Sequence, residues 1–200
     1  GMDGEDATNA ITCNVFQGSG YQNKKWGTER KVADTFEGYD FPIIRYAEVL
    51  LNYAEAMYEL GTTGKALDDA LNISLNLVRL RVNPDMPKLT TSFVSENNLN
   101  MREEIRRERT IELYNEGFRI DDLKRWNTAI VEMPKPILGV KWTGTDFATS
   151  WAGASNMAKD SDGCLILENS RRWGSKNDLY PLPVDQCQLN PNLGQNPGWQ

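Results

Sequence analysis

The sequence contains no histidine. Imidazole is the side chain whose charge changes near neutral pH, so its absence excludes Ser-His-Asp and Cys-His catalysis and histidine-ligated metal sites. The three cysteines, Cys13, Cys164 and Cys187, are odd in number and far apart, which excludes a disulfide framework and a clustered zinc motif. We therefore expect a protein without a cofactor.

Long apolar runs and an excess of basic residues are also missing. No stretch of about eighteen apolar residues occurs, so the sequence predicts no membrane-spanning helix. The first residues lack the basic and apolar regions of a signal peptide. A net charge of -6 opposes nonspecific binding to nucleic acids. What is present, 200 residues of which 40% are hydrophobic, is enough for one compact domain with a core.

Helical periodicity dominates the segment 44–128. A first helix is predicted from about Ile44 to Gly61, with an apolar face broad enough to pack on two sides. A second is predicted from Lys65 to about Arg81. Small residues at close-approach positions resemble those of one tetratricopeptide repeat hairpin: Ala54, Gly61, Ala66 and Ala70. The pattern predicts a mainly α fold, with a TPR-like helical hairpin, further helices and long irregular loops.

A third predicted helix starts at an Asn100 cap, with Glu103 completing a capping box, and runs to Asn115. Its glutamates recur every fourth residue among interleaved arginines. They are interpreted either as an ion-pair network that locks helices together or as paired carboxylates for glycosidase or di-metal chemistry. We expect the arginines to depress the carboxyl pKa values, which is the wrong direction for a general acid, so the network is favoured.

A glycine break at Gly117 follows this helix. Phe118 and Ile120 are expected to turn inward, and a short fourth helix is predicted from Arg119 to Thr128. Trp126 is expected in the core, because it continues the apolar spacing of that helix.

The segment from Val131 to Lys176 has no helical period but is rich in glycine, proline and tryptophan. Exposed aromatic planes beside polar side chains suit the C–H faces and hydroxyl rims of sugars. We therefore identify a candidate ligand platform: Trp142, Trp151 and Trp173, with Asp146, Asn156, Arg171 and Arg172 as hydrogen-bonding candidates. The alternative is that each tryptophan anchors the loop to the helical core.

Three blocks resemble the C-terminal part of SusD/RagB family proteins: DFPIIRYAEVLLNYAEA at 40–56, REEIRRERTIELYNEGFRIDDLKRWN at 102–127 and YPLPVDQCQLNPNLGQNPGW at 180–199. The usual pattern ERR-IE-EG-R-DL-RW is matched at Glu108, Arg109, Ile111, Glu112, Glu116, Gly117, Arg119, Asp122, Leu123, Arg125 and Trp126. Thr110 and Phe118 depart from it, which lowers the local ion-pair count without threatening the fold.

The resemblance implies one SusD-like C-terminal domain over residues 1–200. Its parts are an irregular lead-in (1–39), a helical scaffold (40–129), an elaborated loop region (130–178) and an extended C-terminal clasp (179–200). We expect Leu182, Val184, Leu189, Leu193 and Trp199 to hold the clasp against the helices.

The resemblance also implies a non-catalytic lipoprotein at the surface of the outer membrane. Such a protein binds oligosaccharides and delivers them to a SusC-like TonB-dependent transporter. Membrane contact is expected only through a lipid anchor that this chain does not contain. The alternative function is a helical protein–protein interaction or structural module that binds no glycan.

Overall fold

A computed structural model describes residues 19–21, 23, 25, 42–150 and 152–199. They form two compact units, which we call the helical unit (42–119) and the mixed unit (120–199 with the described residues between 19 and 25). Trp151 and most of the predicted lead-in lie outside the described residues. The assignment of residues 1–200 to a single domain stays a prediction.

The prediction of a mainly helical fold is confirmed. Helices of the helical unit are α1 (Tyr46–Glu59), α2 (Gly64–Asn72), α3 (Leu75–Val82), α4 (Thr91–Glu96) and α5 (Met101–Glu112). Helix α6 (Arg119–Arg125) begins on the last residue of that unit. The mixed unit adds α7 (Ala129–Glu132), β1 (Ile137–Lys141), α8 (Phe147–Ser150), β2 (Cys164–Glu168), α9 (Val184–Leu189) and 3-10 turns at Ala152–Ala154 and Ser175–Asp178. None of the helices in the described ranges is long and apolar enough to cross a membrane.

One apolar core holds the helical unit together. Helix α1 packs on α2, α3 and α5, and Phe118 packs against the same cluster from beyond α5. Burial of each large aliphatic side chain contributes about 1.5–3 kcal/mol. The fully buried members include Leu51, Ala54, Leu71, Leu75 and Leu89.

The helix predicted from Lys65 to Arg81 is broken in two at Ile73 and Ser74. The Ser74 hydroxyl donates to the Ala70 carbonyl at 2.6 Å, and a serine that bonds to the main chain in this way competes with helix continuation. The break rotates the buried face of the second half. Ile73 and Leu77, which continue the apolar spacing of the predicted helix, are exposed, while Asn76 is buried.

The broad apolar face of helix α1 was predicted to pack on two sides, but the described residues bury only one of them. Among the described residues, Ile44, Tyr46, Val49 and Tyr53 remain exposed. Ile44 also precedes the helix, which begins at Tyr46. The prediction that Ile44 belongs to the packed face is therefore wrong.

The start of α5 matches its prediction, and its end does not. The Asn100 side chain accepts a hydrogen bond from the Glu103 backbone N–H at 3.2 Å, which confirms the cap. The helix ends at Glu112, before Asn115 (φ 60°) and Gly117 (φ 88°), whose left-handed backbone is incompatible with a continuing helix.

Helix α6 is shorter than predicted and ends at Arg125. Leu123 is buried as expected, but Ile120 is exposed, so the prediction that it turns inward is wrong. Trp126 is half-buried, with the Arg125 guanidinium carbon 4.9 Å from its ring centroid. It is therefore neither a fully buried core residue nor an open platform.

The predicted irregular loop of the mixed unit contains a small antiparallel sheet. Strands β1 and β2 pair with Ile137 opposite Glu168 and Lys141 opposite Cys164. Val140, Ala154 and Leu165 form a core against which Trp142, Phe147, Met157 and Leu167 pack. The strands are short and far apart in sequence, so no tight-turn signal marks them as a hairpin.

The C-terminal segment is not extended throughout, because α9 interrupts it. Val184 and Leu189 of this helix are exposed, so they do not hold the segment against other helices. The Trp199 indole N–H instead donates to the carbonyls of Lys176 at 2.8 Å and Leu179 at 3.0 Å. The segment is thus fastened by its last ring rather than by an apolar row.

Candidate functional site

The glutamates of α5 are bound to arginines on other elements of the helical unit. A carboxylate oxygen of Glu108 accepts from Arg79 at 2.7 Å, and both side chains are almost fully buried. Glu112 pairs with Arg45 at 3.0 Å and with Arg81 at 2.8 Å. These pairs join α5 to α3 and to the segment before α1, which supports the interpretation of the charged motif as a structural network.

The pKa of Glu108 is raised, contrary to the expectation that its arginine neighbours would depress it. Burial is the largest cause and outweighs the attraction of Arg79. A raised pKa is a property of general acids, yet this carboxylate is already bonded to a buried arginine. Within the described ranges, no three acidic or cysteine side chains come together in a way that could hold a metal ion.

A cavity of about 330 Å³ lies between α1 and α3 in the helical unit. Its lining is mostly apolar but includes two arginines, one just before α1 and one in α3. The lining residues are Arg45, Tyr46, Ala47, Leu50, Leu77, Val78 and Arg81. Both arginines bind Glu112, so neither charge is available without breaking an ion pair. The cavity contains no residue of the predicted ligand platform.

Trp142 is half-buried and packs against the small core of the mixed unit. The Lys159 ammonium lies 4.4 Å from the centroid of its ring and also donates to the carbonyls of Ala154, Ser155 and Met157. One face of this ring is therefore covered by a lysine that is itself held in place. The arrangement favours an anchoring role for Trp142, with the small core of the mixed unit as its packing partner in place of the predicted helical core.

The other residues predicted near Trp142 have different positions. Asn156 is exposed in a turn, and Asp146 is exposed at the start of α8, where its carbonyl accepts from Ser150. Trp151 lies outside the described residues. The described contacts of Trp142 and Trp173 run to different partners, so the predicted platform is not one continuous cluster of described contacts.

Trp173 is half-buried, and its orientation is fixed by a polar contact. Its indole N–H donates to a carboxylate oxygen of Asp178 at 2.9 Å. Arg171 donates to the Lys135 carbonyl at 2.6 Å, and Arg172 donates to the carbonyls of Asn169 and Arg171. The Arg171 Nε is buried without a partner among the described residues.

Two neighbours of Trp173 were missed by sequence reasoning. The Lys124 ammonium lies 5.7 Å from the Trp173 ring centroid and 3.8 Å from that of Tyr180. Tyr180 is 71% exposed. We call Lys124, Trp173, Asp178 and Tyr180 the Trp173 cluster.

The Trp173 cluster combines the groups that sugar recognition requires. Two aromatic rings offer apolar faces for C–H groups, while an ammonium and a carboxylate offer hydrogen bonds to hydroxyls. Nothing in the sequence pairs position 124 with position 180. The available signal was the aromatic at the start of the third family block.

Comparison with known proteins places the chain in a family. A family model described as the SusD family matches residues 4–199. A SusD-like carbohydrate binding protein from Bacteroides fragilis is 31% identical, with a TM-score of 0.58 over 76% of this chain and 28% of that one. A SusD-like protein from the same organism is 30% identical, with a TM-score of 0.54 over 78% of this chain and 25% of that one. The chain thus spans about a quarter of the length of these two proteins, and no curated protein matches it.

Proposed function

Because the chain belongs to the SusD family, we propose that it binds glycans without catalysing a reaction on them. The observation that carries this proposal is the Trp173 cluster, in which the Lys124 ammonium contacts both the exposed Tyr180 ring and an indole whose orientation is fixed by Asp178. A relative of similar sequence is described as carbohydrate binding. The absence of histidine supports the non-catalytic part of the proposal.

Within this proposal, Trp173 and Tyr180 supply the stacking surface. A ring that is mostly exposed loses its hydrating water when a sugar covers it, and this removal of apolar surface from water drives association. Asp178 holds the Trp173 indole in position, so fewer side-chain rotations are lost when a ligand binds. Arg171, Asn156, Trp151 and Trp142 remain proposed ligand contacts of lower rank, since Trp142 is partly covered by Lys159.

We further propose the cellular role that family membership implies. The complete polypeptide is a surface-exposed lipoprotein of the outer membrane that hands bound oligosaccharide to a SusC-like TonB-dependent transporter. Membrane attachment then depends on a lipid anchor.

Titration of tryptophan fluorescence and calorimetry across a panel of oligosaccharides test the glycan proposal. We expect saturable binding without turnover, and a loss of about tenfold in affinity for Trp173→Ala or Tyr180→Ala, which corresponds to about 1.4 kcal/mol. Tyr46→Ala is a matched control, because Tyr46 is 72% exposed and lies in the helical unit. Unchanged affinity in both cluster variants, with every glycan that binds, would contradict the assignment of the site.

A second candidate function is a helical interaction module. The exposed apolar side of α1, with Tyr46, Val49 and Tyr53, favours it, because such a surface gains stability when a partner covers it. Association of the purified chain with the transporter in the absence of glycan, abolished by Val49→Asp but not by Tyr180→Ala, would support this function.

A further inference from the structure

We propose that the Trp173 cluster selects glycans that carry a negative charge, such as a uronate carboxylate or a sulfate ester. The inference rests on the proposed glycan-binding function and adds the class of ligand. It comes from the distribution of cations that have no carboxylate partner in the described part of the chain.

Most arginines of the helical unit are neutralised. Arg45, Arg79, Arg81 and Arg102 each pair with a glutamate at 3.0 Å or less. Their charges are therefore used inside the fold and offer little attraction to a ligand.

The mixed unit is different around Trp173. Lys124 contacts two aromatic rings, and the Lys176 ammonium lies 4.8 Å from the Trp199 ring centroid. Arg171 and Arg172 donate to main-chain carbonyls, and Arg171 also helps to lower the pKa of the Glu168 carboxylate, so its charge is partly neutralised. In a protein of net charge -6, Lys124 and Lys176, which form no ion pair within the described residues and lie beside aromatic rings, are a local attraction for anions.

Lys124 also discriminates against neutral sugars. Its ammonium lies 3.8 Å from the centroid of the Tyr180 ring and so occupies one stacking face. A neutral sugar that takes this face displaces the ammonium and breaks the cation–π contact without replacing it. A sugar with a carboxylate or sulfate gives the displaced ammonium an ionic hydrogen bond, which is stronger than the contact it loses.

The one carboxylate of the cluster does not oppose this selection strongly. One carboxylate oxygen of Asp178 accepts the indole N–H of Trp173 at 2.9 Å, and within the described residues Asp178 forms no ion pair with Lys124. The position of this hydrogen bond orients the indole beside the cation.

The test compares charged and uncharged forms of one backbone. Short oligomers of galacturonic acid, the same oligomers with methyl-esterified carboxylates, and a sulfated neutral oligosaccharide are titrated by calorimetry. We expect the acid form to bind about tenfold more tightly than the ester, a difference of about one charge-assisted contact. Binding of the sulfated sugar distinguishes any anionic group from the carboxylate alone.

Lys124→Met keeps the aliphatic stem and removes the charge. We expect it to lower affinity for the acid oligomers about tenfold, and to leave unchanged or raise affinity for the ester because the ring face is vacated. Lys88→Met is the matched control, since Lys88 is exposed in the helical unit and its loss changes the net charge equally. If Lys124→Met does not fold, the exposed Arg172→Gln tests the same charge dependence with a smaller expected loss.

The outcomes separate this inference from the proposed function. Equal binding of acid and ester forms would overturn the selection for anions while glycan binding stands. A preference for the acid form that survives both Lys124→Met and Arg172→Gln would also overturn it, because the cluster would not be the source. Binding of no glycan of any kind would overturn both.

Discussion

Replacing Arg45 by methionine tests whether the charged motif is a structural lock. The Arg45 guanidinium donates to both carboxylate oxygens of Glu116, at 2.8 and 2.5 Å, and to the Glu112 carbonyl at 3.2 Å. The hydrogen bond to Glu116 is the main reason that the pKa of Arg45 is raised. Methionine retains the apolar stem and removes every one of these contacts.

The expected loss of stability follows from the burial of the partners. The Glu116 side chain is 6% exposed and that of Arg45 19%, so solvent screens this pair less than a surface pair. Removing one member of a buried pair costs about 3–5 kcal/mol, and Glu112 keeps its pair with Arg81. We therefore expect Arg45→Met to lower the free energy of unfolding by about 2–4 kcal/mol.

Urea unfolding measures this loss at constant ionic strength. All six tryptophans lie outside residues 38–119, so tryptophan fluorescence follows the mixed unit. Far-UV ellipticity is dominated by the helical unit, which contains the longer helices. At a slope of about 2 kcal/mol per molar urea, the ellipticity midpoint should fall by about 1–2 M.

Lys65→Met is the control for this experiment. It breaks the Lys65–Asp69 pair, whose side chains are 85% and 62% exposed, and we expect a change within about 0.5 kcal/mol. A shift for Arg45→Met no larger than that of the control would refute the structural lock.

Three further predictions concern buried polar and close-packed positions. The folded pKa of Glu108 is raised above its ordinary 4.5, so its contribution to stability is present below that pH and is lost as pH rises through the folded pKa. Glu108→Gln should therefore gain stability relative to wild type over this rise in pH. Urea midpoints that move the opposite way would contradict this prediction. Asn76 bonds both main-chain groups of Leu89, at 2.7 and 3.0 Å, so Asn76→Ala should cost about 2–4 kcal/mol, and a thermal unfolding midpoint within error of wild type would argue against this. A Cβ at Gly139 would lie 2.6 Å from a main-chain carbonyl oxygen, so Gly139→Ala should lower the free energy of unfolding by about 1–3 kcal/mol, measured by tryptophan fluorescence. Gly153→Ala is the control, because a Cβ there meets nothing within 4 Å. Equal effects of the two substitutions would show that the close approach is relieved.

The helices were predictable because their signals are local. The cap at Asn100 and the left-handed backbone at Gly117 each depend on a few neighbouring residues, and both are present, although the helix already ends at Glu112. The interruption at Ser74 was missed, since apolar spacing continued through it and only the hydroxyl bond to Ala70 marks the break.

The candidate site was less predictable because its members are distant in sequence. Tyr180 and Lys124 come into contact only in the folded chain, and no sequence period or motif relates their positions. The pairing of Glu108 with Arg79 likewise joins two helices, and spacing along one helix does not identify the partner on the other. Long-range side-chain contacts are where reasoning from spacing fails.

Lys159 restrains the loop that connects β1 and β2. Closing a long loop costs entropy that grows slowly with its length. The Lys159 ammonium reduces the conformational freedom of this loop, because it contacts the Trp142 ring at the start of the loop and three main-chain carbonyls farther along it. This side chain acts as a non-covalent crosslink in a unit where Cys164 and Cys187 are both free thiols. The shape of this loop therefore depends on the charge of one lysine, and neither Cys164 nor Cys187 restrains it through a disulfide.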